Sequence, residues 1–290
     1  MISAITVVRD RSNRRIQNCI NAIKNFVDEI IVIDYGSKKP VKVNNAKIIR
    51  YDKNNVWNKS HGLNYGIKKS NGNYIMTIDC DIIVTKEVME RVLKSLGEKT
   101  FIINTNVKRI NAKDIGKWNK SWGWYEDNNN LKRTNSKANG GIQVFSRKWI
   151  YSVGGYDENL ILWGAVDNDL YQRALFDNCR LIDINLPMYH QEHPKKEDNL
   201  PEEMRERARF IRIEKSHYNT EKILNGIIYS NKPWGEEKPS QEKFIRLWTH
   251  WNEEYQNLQD KRLKMLEEIK QFIISKNIPI QSFDVKWRNR

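Results

Sequence analysis

NYIMTIDCD, residues 73–81, is the stretch on which the fold turns. Its apolar positions Tyr74, Ile75, Met76 and Ile78 read as a buried strand, and the run ends abruptly in the carboxylates Asp79 and Asp81. Upstream, ISAITVV (2–8), EIIVIDYG (29–36) and AKIIRYD (46–52) have the same short apolar character, and TFIINTNV (100–107) has it downstream. Helical spacing separates several of these runs. Ile16, Ile20, Ile23 and Phe26/Val27 recur at helical intervals after Ser12, a residue type suited to an N-cap. Further helices are expected around His61–Lys69 and Lys86–Leu96. Strands joined by single helices predict an α/β fold with a mostly parallel sheet and right-handed crossovers. Ligands of such sheets sit at the carboxyl ends of the strands. Here those ends are Arg9-Asp10-Arg11, Asp34-Tyr35-Gly36 and Asp79-Cys80-Asp81, all polar.

Composition narrows the class. The 290 residues include 10 Trp, 12 Tyr and 8 Phe, too many aromatics for a disordered chain even with 30% charged residues. Cys19, Cys80 and Cys179 are odd in number and widely spaced, which argues against a disulfide framework or a zinc finger. No apolar run approaches the roughly 20 residues of a membrane span, and MISAITVVRDRSNRR lacks the order of a signal peptide. The expected setting is therefore a reducing cytoplasm, with peripheral membrane contact left open. The net charge of +14 raises the prior for an anionic partner. Residues 201–290 hold 18 basic and 14 acidic side chains, so most of the excess lies earlier, and no Lys/Arg block occurs.

Beyond the fifth run, residues 111–139 form an Asn-, Lys- and Trp-rich excursion. GGIQVFS (140–146) resumes as a strand before a short helix, GAVDNDLYQRALFD (164–177) reads as another helix, and RLIDINLPMYHQEH (180–193) as a single strand running into polar residues. After Pro194 helical periodicity takes over through 202–226 and again about 239–276, with a break at 231–235. The expected organisation is an α/β domain over 1–198 and an α-helical extension over 199–290. That extension offers a surface for oligomerisation, acceptor binding or membrane contact.

Residues two apart on a strand share a face, so Asp79 and Asp81 would repel one another unless a cation or donor lay between them. Hard oxygen ligands suit Mg²⁺ or Mn²⁺ better than zinc. Such an ion can hold a diphosphate and neutralise a phosphate leaving group. A surface turn with two helix-capping aspartates is the plainer account of the same D-x-D.

Four segments in order now carry a resemblance. EIIVIDYGS (29–37), WNKSHGLNYGI (57–67), the D-x-D strand, and GGIQVFSRKWIYSVGGYDENLILWGAVDNDLYQR (140–173) together resemble a GT-A glycosyltransferase of the family-2 kind. The second half is similar to the galactosyltransferase C-terminal module, found also in chondroitin-type polymerases. The resemblance spans about residues 3–193. It implies a UDP-sugar donor of the galactose, GalNAc, GlcNAc, glucose or glucuronic acid class, and a glycan or glycoconjugate acceptor. It places Asp34 on the uracil or ribose, and Lys59 where a phosphate-binding arginine is usual. Arg9, Arg11 and His61 join the donor side. Asp81 and His190 would hold Mn²⁺ or Mg²⁺, with Asp79 in or behind the coordination shell or on the donor's ribose. His193 is the rival imidazole, and Met188 lies two residues before His190 where the galactosyltransferase pattern has three.

Within the W-G-x-x-D segment Asp167 falls on the general base of the inverting enzymes, while Val166 and Asn168 stand at usually acidic positions. Trp163 would stack on a sugar, and Gly141 and Asn168 complete the acceptor side. A plainer role for Asp167 and Asp169 is stabilising a helix N-terminus, worth about 0.3–1 kcal/mol. QEHPKKEDNLPEEM (191–204) is equally a closing lid or a linker. The expected reaction is metal-dependent displacement with inversion, a retaining outcome being compatible with the same motifs. The competing class is a nucleic-acid or anionic-polymer binding module, using the net charge and Trp118, Trp122 and Trp124. A nucleotidyltransferase is disfavoured because no Gly-rich phosphate loop follows the first strand.

Overall fold

The computed structural model describes residues 1–53, 56–109, 132–133, 140–191, 201–229, 232–239 and 242–249, with single helical positions at 271 and 275. The Trp-rich excursion apart from 132–133, His193 with most of the 191–204 segment, and the chain after 249 apart from those two positions lie outside the described residues. Consecutive elements are β1 (Ile2–Val8), α1 (Asn13–Ile23), β2 (Glu29–Asp34), β3 (Lys47–Arg50), α2 (Lys59–Lys68), β4 (Tyr74–Ile78), β5 (Ile82–Val84) and α3 (Lys86–Ser95). They continue as β6 (Thr100–Ile103), β7 (Val107–Arg109), β8 (Lys132–Arg133), β9 (Ile142–Ser146), α4 (Arg147–Ser152) and α5 (Val166–Phe176). The last described are β10 (Arg180–Asp183), β11 (Met188–His190), α6 (Glu202–Leu224) and α7 (Glu242–Thr249).

Seven strands form the main sheet in the order β10-β6-β9-β4-β1-β2-β3. β1 pairs parallel with both β2 and β4, as its apolar character on both faces requires. Only β9 runs against its neighbours, β4 and β6. The α/β expectation with a mostly parallel sheet holds. Two single-strand readings do not. Residues 100–107 and 180–193 each split, sending β6 and β10 into the main sheet, and β7 and β11 into a second sheet ordered β5-β11-β7-β8. Asn104, at the β6–β7 break, anchors it by donating to the Leu186 carbonyl in the β10–β11 break at 2.7 Å.

Local chemistry sets the helices. Asn58 caps α2 by accepting from the His61 amide at 2.9 Å, and Ser146 caps α4 by accepting from Trp149 at 3.1 Å. Ser12 occupies the cap position of α1 in extended geometry, but its hydroxyl makes no capping bond. α2 lies close against the sheet because Gly62 and Gly66 face it. A Cβ at either would come within 2.5 Å of Val7 or Ile5.

Each face of the sheet carries an apolar cluster. One packs α1 and α3 through Ile16, Ile20, Val88 and Val92. The other packs α2 and α5, and includes Phe210, Ile211, Trp234 and Phe244 from beyond residue 200. The helices after Pro201 therefore complete a core begun by β1 and α2.

Candidate active site

The Asp79–Asp81 segment is not strand. β4 stops at Ile78, and the Ile82 amide donates to the Asp79 carbonyl at 3.0 Å, closing a turn into β5. The two carboxylates are consequently not paired by strand periodicity but face different partners. The Asp79 amide donates to the Gly141 carbonyl at 2.9 Å, tying this turn to the segment before β9.

β11 runs antiparallel to β5 with His190 opposite Ile82, and the Gln191 amide donates to the Asp81 carbonyl at 2.7 Å. This register brings His190 Nε2 to 3.6 Å from Asp81 Oδ1. A carboxylate oxygen and an imidazole nitrogen so disposed are both groups that can ligate a divalent cation. Asp79 is engaged elsewhere. Among the described residues no group of three His, Cys, Asp or Glu side chains forms a complete cation site.

Lys59 and Asp167 meet through the backbone. Asn58 and Leu162 form a parallel bridge, with the Leu162 amide donating to the Trp57 carbonyl at 2.8 Å, so the start of α2 lies against the loop that enters α5. Lys59 Nζ then sits 2.7 Å from Asp79 Oδ1, and 3.0 and 3.2 Å from the two oxygens of Asp167. Burial opposes the charge of Lys59, but Asp167 and Asp79 outweigh it and hold its pKa above the ordinary lysine value. Withdrawal from water pushes the Asp79 carboxyl up against the pull of Lys59, and Asp167 and Asp81 add to the rise. Asp167 is steadied from behind: Gln143 Nε2 donates to its carbonyl at 2.8 Å, and Gln143 Oε1 accepts from Tyr156 at 2.9 Å. Gly140 leaves room for it, since a Cβ there would be 2.7 Å from Asp167 Oδ2.

These groups open on one cleft of about 280 Å³ at the carboxyl ends of β1 and β4. Of the residues singled out from sequence, Arg9, Arg11, Lys59, Asp79, Asp81, Trp163, Asp167 and His190 line it. Gly141 lines a small adjoining recess with Lys59, Asp79 and Asp167. Asn168, half-buried on α5, is among the lining of neither.

Two expected donor contacts are placed elsewhere. Asp34 is 1% exposed, and its carboxylate accepts from the amides of Ser37 and Val41 and from Arg50 Nη1 at 2.8 Å. It shapes the loop after β2 rather than facing the cleft. His61 is fully buried, bonded to the Tyr35 hydroxyl at 2.9 Å and the Glu236 carbonyl at 2.8 Å. Its ring is thus occupied in the core and does not line the cleft.

Sequence reasoning left Trp57, Leu162 and Val166 unassigned, although they give the cleft an apolar wall. Trp57 opens the 57–67 motif and was open to notice there. Helix α6 also supplies contacts that the motifs do not reveal. Lys215 Nζ donates to the carbonyls of Ile161, Trp163 and Gly164, and Lys222 bridges Asp157 and Asp169. The lysines are seven residues apart on one helix face, a spacing visible in the sequence, but their partners are not.

The family described as Glycosyl transferase family 2 matches residues 3–154, and the one described as the N-terminal domain of galactosyltransferase matches 125–195. The chain is 26% identical over 225 residues to a chondroitin synthase of Escherichia coli, covering 62% of this chain and 33% of that protein. It is 24% identical over 260 residues to a hyaluronan synthase of Pasteurella multocida, covering 69% of this chain and 26% of that one. The chain thus spans about a third or less of these relatives' length. The crystal structure of S. aureus TarS 1–349 in complex with UDP-GlcNAc shares the fold at 14% identity and a TM-score of 0.50, over 77% of this chain and 66% of that one.

Proposed function

The chain belongs to glycosyl transferase family 2, and from that membership we propose that it moves a sugar from a UDP-sugar to an acceptor hydroxyl by a single, inverting displacement. The observation that carries this reading is the meeting of Lys59, Asp79, Asp81, Asp167 and His190 on one cleft that Arg9 and Arg11 also line. The relatives named as chondroitin and hyaluronan synthases support a glycan acceptor and a hexose or hexosamine donor. Three carboxylates in the cleft disfavour a nucleic-acid groove, which would set phosphate against them.

Arg9 and Arg11 bind the nucleotide end of the donor, with Asp34 fixing the loop behind them. Lys59, held charged between two carboxylates, is a further cation that the cleft offers to the diphosphate. Asp81 and His190 would hold Mn²⁺ or Mg²⁺, with donor and solvent completing its coordination. Such an ion, when bound, neutralises charge on the departing diphosphate. Asp79 orients Lys59. Trp163 offers its indole to the acceptor ring. Asp167 takes the proton as the acceptor oxygen forms its bond to the anomeric carbon, while the bond from that carbon to the diphosphate oxygen breaks and its electron pair leaves with UDP. Residues 1–198 carry the donor and acceptor cleft in this reading and 199–290 are an extension to it, of which the described helices α6 and α7 pack on the core through Phe210, Ile211 and Phe244. No helix among the described residues is long and apolar enough to cross a membrane.

A panel of nucleotide sugars, each with and without Mn²⁺, tests the proposal by donor hydrolysis and thermal stabilisation. A Mn²⁺-dependent response confined to one or two UDP-sugars is expected. Indifference to every nucleotide sugar, with salt-sensitive binding to nucleic acid instead, overturns it.

A further inference from the structure

One face of α6 runs along the loop that delivers Asp167. Arg212, Lys215, Asn219 and Lys222 are spaced three, four and three residues apart, so they share a helical stripe. Lys215 is fully buried, and its ammonium donates to the carbonyls of Ile161 at 2.6 Å, Trp163 at 2.7 Å and Gly164 at 3.2 Å. Asn219 Nδ2 donates to the Ala165 carbonyl at 3.3 Å. The aliphatic stem of Arg212 lies under Gly164, where a Cβ would come within 3.2 Å of its Cδ. Lys222 closes the stripe on Asp157 at 2.8 Å and Asp169 at 2.5 Å.

The clamped loop is strained. Leu162, Gly164 and Ala165 have φ of 60°, 82° and 69°, a left-handed conformation that non-glycine residues adopt only when their surroundings impose it. Within it the carbonyls of Ile161, Trp163 and Gly164 converge on the buried ammonium of Lys215. Trp163 and Asp167, within the same seven residues, are thereby left facing the cleft.

We propose that Lys215 is a positioning residue for the transfer reaction: by gathering the carbonyls of Ile161, Trp163 and Gly164 it sets where Trp163 and Asp167 stand, and so governs use of the acceptor rather than the donor. The inference rests on the transferase reading above. It makes α6 part of the acceptor side, although Lys215 follows Asp167 by 48 residues.

The test compares wild type with Lys215→Met and the milder Asn219→Ala in the whole chain. Amide hydrogen exchange in the unliganded proteins should accelerate in peptides covering 160–168 and stay unchanged in those covering β1 and β4. The ratio of transfer to donor hydrolysis should fall about tenfold to a hundredfold in Lys215→Met, with a raised acceptor KM and an unchanged donor KM. If Lys215→Met does not fold, Asn219→Ala must show the same pattern at smaller amplitude. Unchanged exchange at 160–168 overturns the proposal. So does an equal fall in transfer and hydrolysis at constant acceptor KM, which is the signature of lost folded enzyme alone. A wild-type protein that turns over no nucleotide sugar would sink the transferase reading and the catalytic half of this one, while the exchange measurement still decides whether Lys215 holds the loop.

Discussion

Replacing Asp167 by Asn separates the proposed base from its other duties. The amide keeps the shape and can still accept from Lys59, which retains Asp79 at 2.7 Å. The bond from Gln143 to the residue 167 carbonyl is untouched. What disappears is the group that accepts the acceptor's proton. General base catalysis contributes about 10²–10⁴ in rate, so kcat should fall by that factor, or about 3–5 kcal/mol in the barrier. The lost charge opposite Lys59 is a partly exposed interaction worth at most about 1 kcal/mol, so donor KM should stay within about fivefold. Folding stability should change by a similar small amount, because the carboxylate's effect on the α5 terminus is about 0.3–1 kcal/mol. Steady-state kinetics with varied donor and acceptor, alongside urea denaturation, read all three quantities. A variant within threefold of wild-type kcat, or one whose donor KM rises in step with the fall in kcat, refutes the proton-transfer role and leaves Asp167 as a partner for Lys59.

Asp81→Ala should abolish Mn²⁺-stimulated turnover and flatten the Mn²⁺ titration of thermal stability; full activity in that variant removes the ion from Asp81 and His190. His61→Phe should destabilise the fold by about 2–4 kcal/mol by stranding the Tyr35 hydroxyl and the Glu236 carbonyl, while leaving donor KM alone. A weakened donor KM at unchanged stability would restore His61 to the donor side. Burial opposes ionisation of Asp157, but the charge and hydrogen bond of Lys222 prevail and hold its carboxyl below the ordinary range. A lowered folded-state pKa contributes stability above the unfolded value of about 3.9, lost as pH falls further. Wild type should therefore exceed Lys222→Met by about 3 kcal/mol at pH 7, and the gap should narrow below about pH 4. A gap independent of pH would mean that the ion pair is not its source.

Much of the frame is legible along the chain. β1, β2 and β4 are apolar on both faces because each lies inside a covered sheet, and α1 shows its buried Ile16, Ile20 and Ile23 at helical spacing. Such patterns are local consequences of burial and need no knowledge of partners. The D-x-D is equally visible as a pattern, but whether its carboxylates stand on a strand face or in a turn depends on where β4 ends, and the Gly141 and Ile82 contacts set that end. In sequence His190 has His193 as a rival three residues on; the antiparallel register of β11 on β5 is what delivers His190 to Asp81. Asp34 and His61 sit in motifs that resemble donor contacts, yet Arg50 and the Ser37 and Val41 amides enclose one, and Tyr35 and Glu236 the other.

The amino-acid order alone determined that the chain is α/β with a mostly parallel sheet, and which side chains at the polar ends of its strands can do chemistry, since hydrophobic periodicity and residue type act over a few positions; the division into two sheets it did not determine. Tertiary structure alone decided which of those side chains face the cleft, that Lys59 spans Asp79 and Asp167, and that Lys215 braces the loop between Ile161 and Gly164. Electrostatic and hydrogen-bond partners are selected by distance in space. Residues from 20 to more than 100 positions apart acquire that distance only when the core closes around them.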